Sequence, residues 1–259
     1  AALARAAARA PDLAFLEQSD LERALEQAKA LGGLHITGDF TPADHLASAS
    51  AAERRRDFEG AAAFVGAAVN VTDAGGDWAE YARLLLLAAT LNTTDRQVLL
   101  DRSALAAVNA YLRTDAPAAR HNILSTMASA LEYYGRGRET VRALQLAQAL
   151  QARDDTARLL DAAFGKYGFR ITENEVQSDS ARPRLCAVFS ENLVSAGVDY
   201  TPFVQVPAPG LSVVLAGNRQ LCVEGVEHGQ RVAVTFREGL PGAEGQALAK
   251  DVTITAYIR

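Results

Sequence analysis

The feature that most constrains this chain is a change of period near Tyr167-Gly168. Up to about Lys166, apolar residues recur every three to four positions in a background of Ala, Leu, Arg and Glu with few prolines. Beyond it, prolines cluster and short runs alternate apolar with polar residues between turn signals. A period near 3.6 is that of an amphipathic helix, and a period of two is that of a half-buried strand. A single grammar throughout is therefore excluded. A multidomain α plus β chain is expected, with an all-α helical domain over 1–166 and an antiparallel β-sandwich over 167–259.

Composition narrows the class further. With 259 residues, 49% hydrophobic and 22% charged, the chain can bury a sizeable core in each half and does not resemble a disordered protein. The formal net charge of −5 is spread evenly. Residues 1–166 carry 18 basic and 21 acidic side chains, and 167–259 carry 8 and 10, so neither half offers the concentrated positive field that a nucleic-acid backbone requires. The longest apolar run, Leu84 to Ala89, is far too short to span a bilayer, and no transmembrane segment or signal-peptide pattern is expected within these residues. The chain starts on Ala and ends on a strand pattern at Arg259, which reads as a piece of something longer.

Cap chemistry proposes where the helices begin and end. Pro11-Asp12, Thr41 to Asp44, Asn92 to Asp95 and Asp115 to Pro117 each set a capping oxygen or a first-turn proline before a periodic run. Asp154-Asp155 starts the last helix, while Gly32-Gly33, Gly75-Gly76 and Gly135 to Gly137 are the expected stops. Seven or eight helices joined by short turns follow, with antiparallel neighbours. Asp57 to Val69 (DFEGAAAFVGAAV) resembles the second half of a tetratricopeptide repeat, where small residues meet a partner helix and an aromatic docks the next hairpin. Gly137 to Leu150 is an approximate second copy, but the spacing is not a multiple of 34, so a degenerate, TPR-like array of helical hairpins is expected rather than a regular repeat.

In the second half, strands are expected over Phe169–Thr172, Leu185–Phe189, Leu211–Leu215, Gln220–Glu224, Arg231–Phe236 and Val252–Ile258. Gly217-Asn218 reads as one hairpin turn, and Glu227 to Gly229 as a second, joining the Cys222 strand to the Arg231 strand.

The only two cysteines, Cys186 and Cys222, each sit in a strand and point away from its more apolar side, in similar frames, RLCAV and QLCVE. Adjacent strands would present them for a crosslink across the outside of a sheet, worth roughly 3 to 4 kcal/mol in the chain-entropy model and indicative of an oxidising compartment. Two buried free thiols are the alternative. A Cys-His enzyme would need one of His35, His45, His121 or His228 beside a thiol, and no orienting third residue stands out. The dispersed histidines give no zinc spacing, and with no phosphate loop, dinucleotide fingerprint or carboxylate pair, no metal, cofactor or catalytic residue is expected and the chain does not read as an enzyme. Ser190, Glu191 and Asn192 read as a strand-ending turn. Arg54, Arg55 and Arg56 read as a solvated helix end, and Trp78, Tyr81, Tyr111, Tyr133 and Tyr134 as helix packing.

Five blocks then carry a resemblance: Tyr167 to Asp179 (YGFRITENEVQSD), Pro183 to Leu193 (PRLCAVFSENL), Val198 to Val204 (VDYTPFV), Arg219 to Gly225 (RQLCVEG) and Phe236 to Pro241 (FREGLP). In order and spacing they resemble the first macroglobulin domain of large bacterial alpha-2-macroglobulins, in which a helical segment precedes that domain. The resemblance implies an immunoglobulin/macroglobulin-like β-sandwich in a secreted or periplasmic protease trap, with any membrane anchor outside these residues. It implies as partners the remaining macroglobulin domains of the same chain and, through regions outside this segment, target proteases. Neither Cys186 nor Cys222 lies in a Cys-Leu-Glu-Gln type thioester motif, so the part implied here is a structural scaffold without bait or thioester. A helical-repeat adaptor with an appended immunoglobulin-like domain is the alternative.

Overall fold

The computed structural model describes residues 8–35, 37–178 and 183–259. Asp179, the end of the first block above, and residues 1–7 of the helical segment lie outside them. The chain divides into two compact units, Ala1–Ala163 and Phe164–Arg259.

Among the described residues the first unit is built from helices α1 (Gln18–Leu34), α2 (Pro42–Arg54), α3 (Phe58–Thr72), α4 (Gly75–Leu91), α5 (Arg96–Arg113), α6 (Pro117–Tyr134), α7 (Gly137–Leu150) and α8 (Asp154–Tyr167), within which the division falls. Three caps act as expected. Thr41 and Asp44 exchange backbone and side-chain bonds in a capping box ahead of α2. Asn92 accepts the Thr94 and Asp95 N–H groups before α5, and Pro117 opens α6. Gly135, at φ 95°, closes α6 in the left-handed conformation that favours glycine.

Other boundaries differ from the sequence expectation. Pro11-Asp12 begins only a 3₁₀ turn, Ala10–Leu13, because Leu13 and Leu16 both turn into the core and the chain restarts at α1 with a Glu17/Asp20 capping box. Gly75 and Gly76 open α4 rather than stop α3; the stop is Asp73 at φ 47°. A Cβ on Gly75 would lie 2.4 Å from Thr114 Oγ1, so glycine stands there to let the start of α4 approach the end of α5. Gly32 and Gly33 lie inside the last turn of α1, and a Cβ on Gly32 would press on the Asn70 side chain at 3.0 Å.

Consecutive helices from α2 to α7 pack on one another, and α1 lies against α5 and α3. In a solenoid each repeat touches only its neighbours; the α1–α5 contact departs from that pattern. Asn109, fully buried on α5, secures it by donating to the Ala24 carbonyl of α1 at 2.7 Å. Small residues Ala61, Ala62, Gly66 and Ala68 of α3 are buried, but Phe64, the expected docking aromatic, is 39% exposed.

Among the described residues the second unit holds seven strands: β1 (Ile171–Gln177), β2 (Arg184–Phe189), β3 (Val204–Gln205), β4 (Ser212–Leu215), β5 (Gln220–Glu224), β6 (Arg231–Phe236) and β7 (Val252–Tyr257). They form two antiparallel sheets, β1-β2-β5-β4 and β3-β6-β7. Leu185, Ala187, Phe189, Leu221 and Val223 from the first meet Val232, Val234, Phe236 and Ile254 from the second in one apolar core, with Phe189 edge-on to Phe236 at 6.0 Å. β1 runs on through Glu173 and Glu175 because these point away from that core, a polar stretch that apolar alternation alone does not mark as strand. Gly217-Asn218 turns β4 into β5 as expected, but Glu227 to Gly229 is not a hairpin turn: β5 and β6 belong to different sheets, so the segment crosses between them.

Candidate functional site

The cysteines are the centre of the candidate site in the β unit. β2 and β5 pair antiparallel with Cys186 directly opposite Cys222, and the two are joined by a disulfide with Cα atoms 4.0 Å apart. This is close to the spacing of about 4.5 Å found at non-hydrogen-bonded antiparallel positions, where facing side chains come nearest. The strand face is the one alternation assigns, opposite Leu185, Ala187 and Phe189. The bond is nevertheless not on the outside in the sense of exposure, because both cysteines are fully buried. Neither sulfur is a free thiol, which leaves no thiolate for nucleophilic chemistry or metal binding.

On the same face of the sheet as the disulfide, polar side chains bond one another across the strands. Gln220 on β5 reaches across β2 to donate to Glu175 on β1 at 2.8 Å. On the other side, Arg184 donates to Gln177 at 2.7 Å and to Glu224 at 3.4 Å. Glu175 and Gln177 are themselves joined at 3.3 Å. Strands β1, β2 and β5 are thus laced together by side chains on the face that carries the covalent bond.

The strand-ending turn after β2 behaves as its residue types suggest. Ser190 Oγ accepts the Arg170 N–H at 3.1 Å and donates to the Gly168 carbonyl at 3.3 Å, while the Asn192 carbonyl accepts from Ala243. Tyr200 adds a second tie, its hydroxyl accepting the Val194 N–H at 2.7 Å and lying 3.2 Å from the Pro241 carbonyl. The Ser190 and Tyr200 hydroxyls here replace backbone partners lost where the chain leaves the sheet.

The four histidines are dispersed, each with a local partner. His121 is buried between the Ala147 carbonyl at 3.0 Å and Thr156 Oγ1 at 2.9 Å. His45 lies 2.9 Å from the Thr37 carbonyl, His35 lies 3.0 Å from the Tyr81 hydroxyl, and His228 bonds the Arg259 carbonyl. No group of three or more potential metal ligands is assembled among the described residues. Arg54, Arg55 and Arg56 are exposed at the end of α2, and Arg56 adopts φ 61°. Trp78, Tyr81 and Tyr111 are core residues, but Tyr133 and Tyr134 are not: they are 53% and 39% exposed, and Arg96 stacks over the Tyr133 ring at 5.5 Å.

Sequence reasoning passed over a charged cleft in the helical unit. Its apolar floor includes Leu105, Val108 and Met127, and its wall is Asp20 on α1 with Arg23 and Arg136. Asp20 is buried, yet it accepts from Arg136 at 2.7 Å, from Arg23 at 3.1 Å and from the Glu17 N–H at 3.2 Å. Burial pushes its carboxyl up, but the hydrogen bonds and charge of Arg136, with Arg23 and the Glu17 amide, outweigh this and hold it below the usual carboxylate range. The local signals in the sequence are the Glu17/Asp20 capping spacing and the Asp20/Arg23 i,i+3 spacing; Arg136 is too distant in the chain to be paired with Asp20 from sequence. The cleft has room for roughly one water, and Asp20 clasps Arg136 and Arg23 along it.

No protein family, curated protein or solved structure matches the chain.

Proposed function

We propose that the chain is the non-catalytic N-terminal portion of a secreted or periplasmic bacterial alpha-2-macroglobulin, an endopeptidase inhibitor, and serves as scaffold for trapping parts that lie elsewhere in that protein. The observation that carries this reading is the Cys186–Cys222 bond, which unites the two cysteine-bearing blocks of the resemblance on neighbouring strands of one sheet. A covalent staple in the middle of a small β unit suits an oxidising compartment, because cytosolic thiols are kept reduced. The cysteines, the four histidines and Ser190 are engaged in structural bonds, which is the pattern a scaffold needs. No helix among the described residues is long and apolar enough to cross a membrane, so an anchor, if the whole protein carries one, is a separate element.

The test is to mix the chain with serine, cysteine and metalloproteases at equal and tenfold molar ratios and follow cleavage of a protein substrate. Undiminished protease activity is expected. Stoichiometric inhibition would overturn the assignment of trapping to other regions, and partition of the native protein into the cytosolic fraction would overturn the compartment.

A second reading, a helical-repeat adaptor for a protein partner with an appended immunoglobulin-like domain, is favoured by Phe64 and Val71, exposed seven residues apart on α3. It requires a partner whose binding is lost in the Phe64→Ser, Val71→Ser double variant while the thermal unfolding midpoint is unchanged.

A further inference from the structure

The end of α1 is held on the helical unit by two reciprocal close approaches. Gly32 of α1 faces the Asn70 side chain of α3, and one turn further on Gly66 of α3 faces the His35 ring at the C-cap of α1. The second approach is the tighter: a Cβ on Gly66 would lie 2.3 Å from His35 Cδ2 and 2.6 Å from Nε2, so the imidazole occupies a notch that only glycine leaves open. At the bottom of the notch Nε2 meets the hydroxyl of Tyr81, on α4, at 3.0 Å, with the rings edge to face. Tyr81 is 1% exposed and its ring packs against Trp78. The notch therefore leads from the last turn of α1 into the aromatic core.

The chemistry of this pair is asymmetric in protonation. Neutral imidazole with its proton on Nδ1 offers Nε2 as an acceptor for the Tyr81 O–H. Imidazolium offers no acceptor: its Nε2–H can only donate to the hydroxyl oxygen, so the bond reverses and the buried Tyr81 O–H loses the acceptor it had. From α4 the titratable group facing the ring is Tyr81, from α5 the charged group is the Arg102 guanidinium, and α3 contributes Gly66. Burial, with Arg102 adding, pushes the imidazole down, and no carboxylate offsets it.

We propose that His35 is a proton-sensitive latch, which fastens the C-terminal turn of α1 to α3 and α4 when neutral and releases it when the imidazole takes up a proton. Acidification then loosens the last turns of α1 and uncovers the Gly66 notch while the rest of the helical unit stays folded. His45 provides an internal contrast. Its Nε2 donates to the Thr37 carbonyl, a group that only accepts. The latch holds whichever protein the helical unit serves.

The experiment is hydrogen exchange of the peptide covering residues 28–35, corrected for intrinsic rates, in wild type and His35→Gln, whose side-chain oxygen accepts from Tyr81 without titrating. Between about pH 7.5 and 5.5, protection in wild type is expected to fall by at least about threefold while α5 keeps its protection. His35→Gln is expected to lose less than half as much. Equal loss in both proteins, constant protection in wild type, or simultaneous loss in α5 would overturn the proposal. If His35→Gln fails to fold, the wild-type imidazole titration by NMR decides. A midpoint clearly below the ordinary histidine value of about 6.5 supports the latch, and one at or above it overturns it.

Discussion

Cys186 and Cys222 face each other across the two central strands of a four-stranded sheet, fully buried although they point away from the apolar core. The polar side chains of Glu175, Gln177, Arg184, Gln220 and Glu224 bond one another on that same face. A crosslink so placed ties β2 to β5 independently of the packing between the sheets.

Its removal has a calculable effect. The bond spans 36 residues of chain, so the Cys186→Ala, Cys222→Ala double variant is expected to lose roughly 3 to 4 kcal/mol, all of it in the unfolding of the β unit. Urea unfolding followed by the near-UV signal of the β unit checks this. Without reductant or denaturant, neither cysteine should take up an alkylating reagent. A reduced protein that unfolds at the same urea concentration as the oxidised one would contradict the prediction.

Asp20→Asn should destabilise the helical unit by about 2 kcal/mol, the scale for a hydrogen bond to a charged group in a buried setting. The pH dependence has a definite sign. The folded carboxyl is held below its ordinary value of 3.8, so its contribution is complete above that value and is lost as pH falls through the lower, folded pKa. Chemical denaturation from pH 7 to 2 should show wild type and Asp20→Asn converging only at the acid end.

The adjacent glycines at the start of α4 are expected to respond oppositely to alanine. Gly75→Ala brings a methyl to 2.4 Å from Thr114 Oγ1 and 3.0 Å from the Arg113 backbone and should cost about 1 to 3 kcal/mol. A Cβ on Gly76 meets nothing within 4 Å, and Gly76→Ala should stabilise by about 0.4 to 1 kcal/mol through the unfolded chain. Thermal melts of the two variants, one shifted down and one up, test the close approach directly.

Tyr200→Phe removes one hydroxyl and keeps the ring. The Val194 N–H, bonded to that hydroxyl at 2.7 Å, would be left without its partner, and a loss of about 1 to 2 kcal/mol is expected. Calorimetry of the whole chain should show the lower-stability transition only in the β unit.

Much of this was legible in the residues. The two periods placed helices before strands, Thr41-Pro42-Ala43-Asp44 marked the start of α2, and alternation put Cys186 and Cys222 on the strand face that turns from the core. These are local properties: a cap bonds three residues away, and a strand side chain points by parity. Glycine was the least legible signal. Gly75 reads as a stop in one dimension because chain flexibility is all that a sequence shows of it, whereas its role is set by Thr114, 39 positions away.

The sequence alone thus established helices before strands, several of the caps and the facing of the two cysteine strands, since these follow from periodicity and near-neighbour bonds. Tertiary structure alone decided that β5 and β6 belong to different sheets, that α1 lies on α5 through Asn109, that Asp20 pairs with Arg136, and that His35 fills the space beside Gly66. Each of these depends on which surfaces come within a few ångströms after the chain has collapsed, and such contacts between distant residues leave no period in a single sequence.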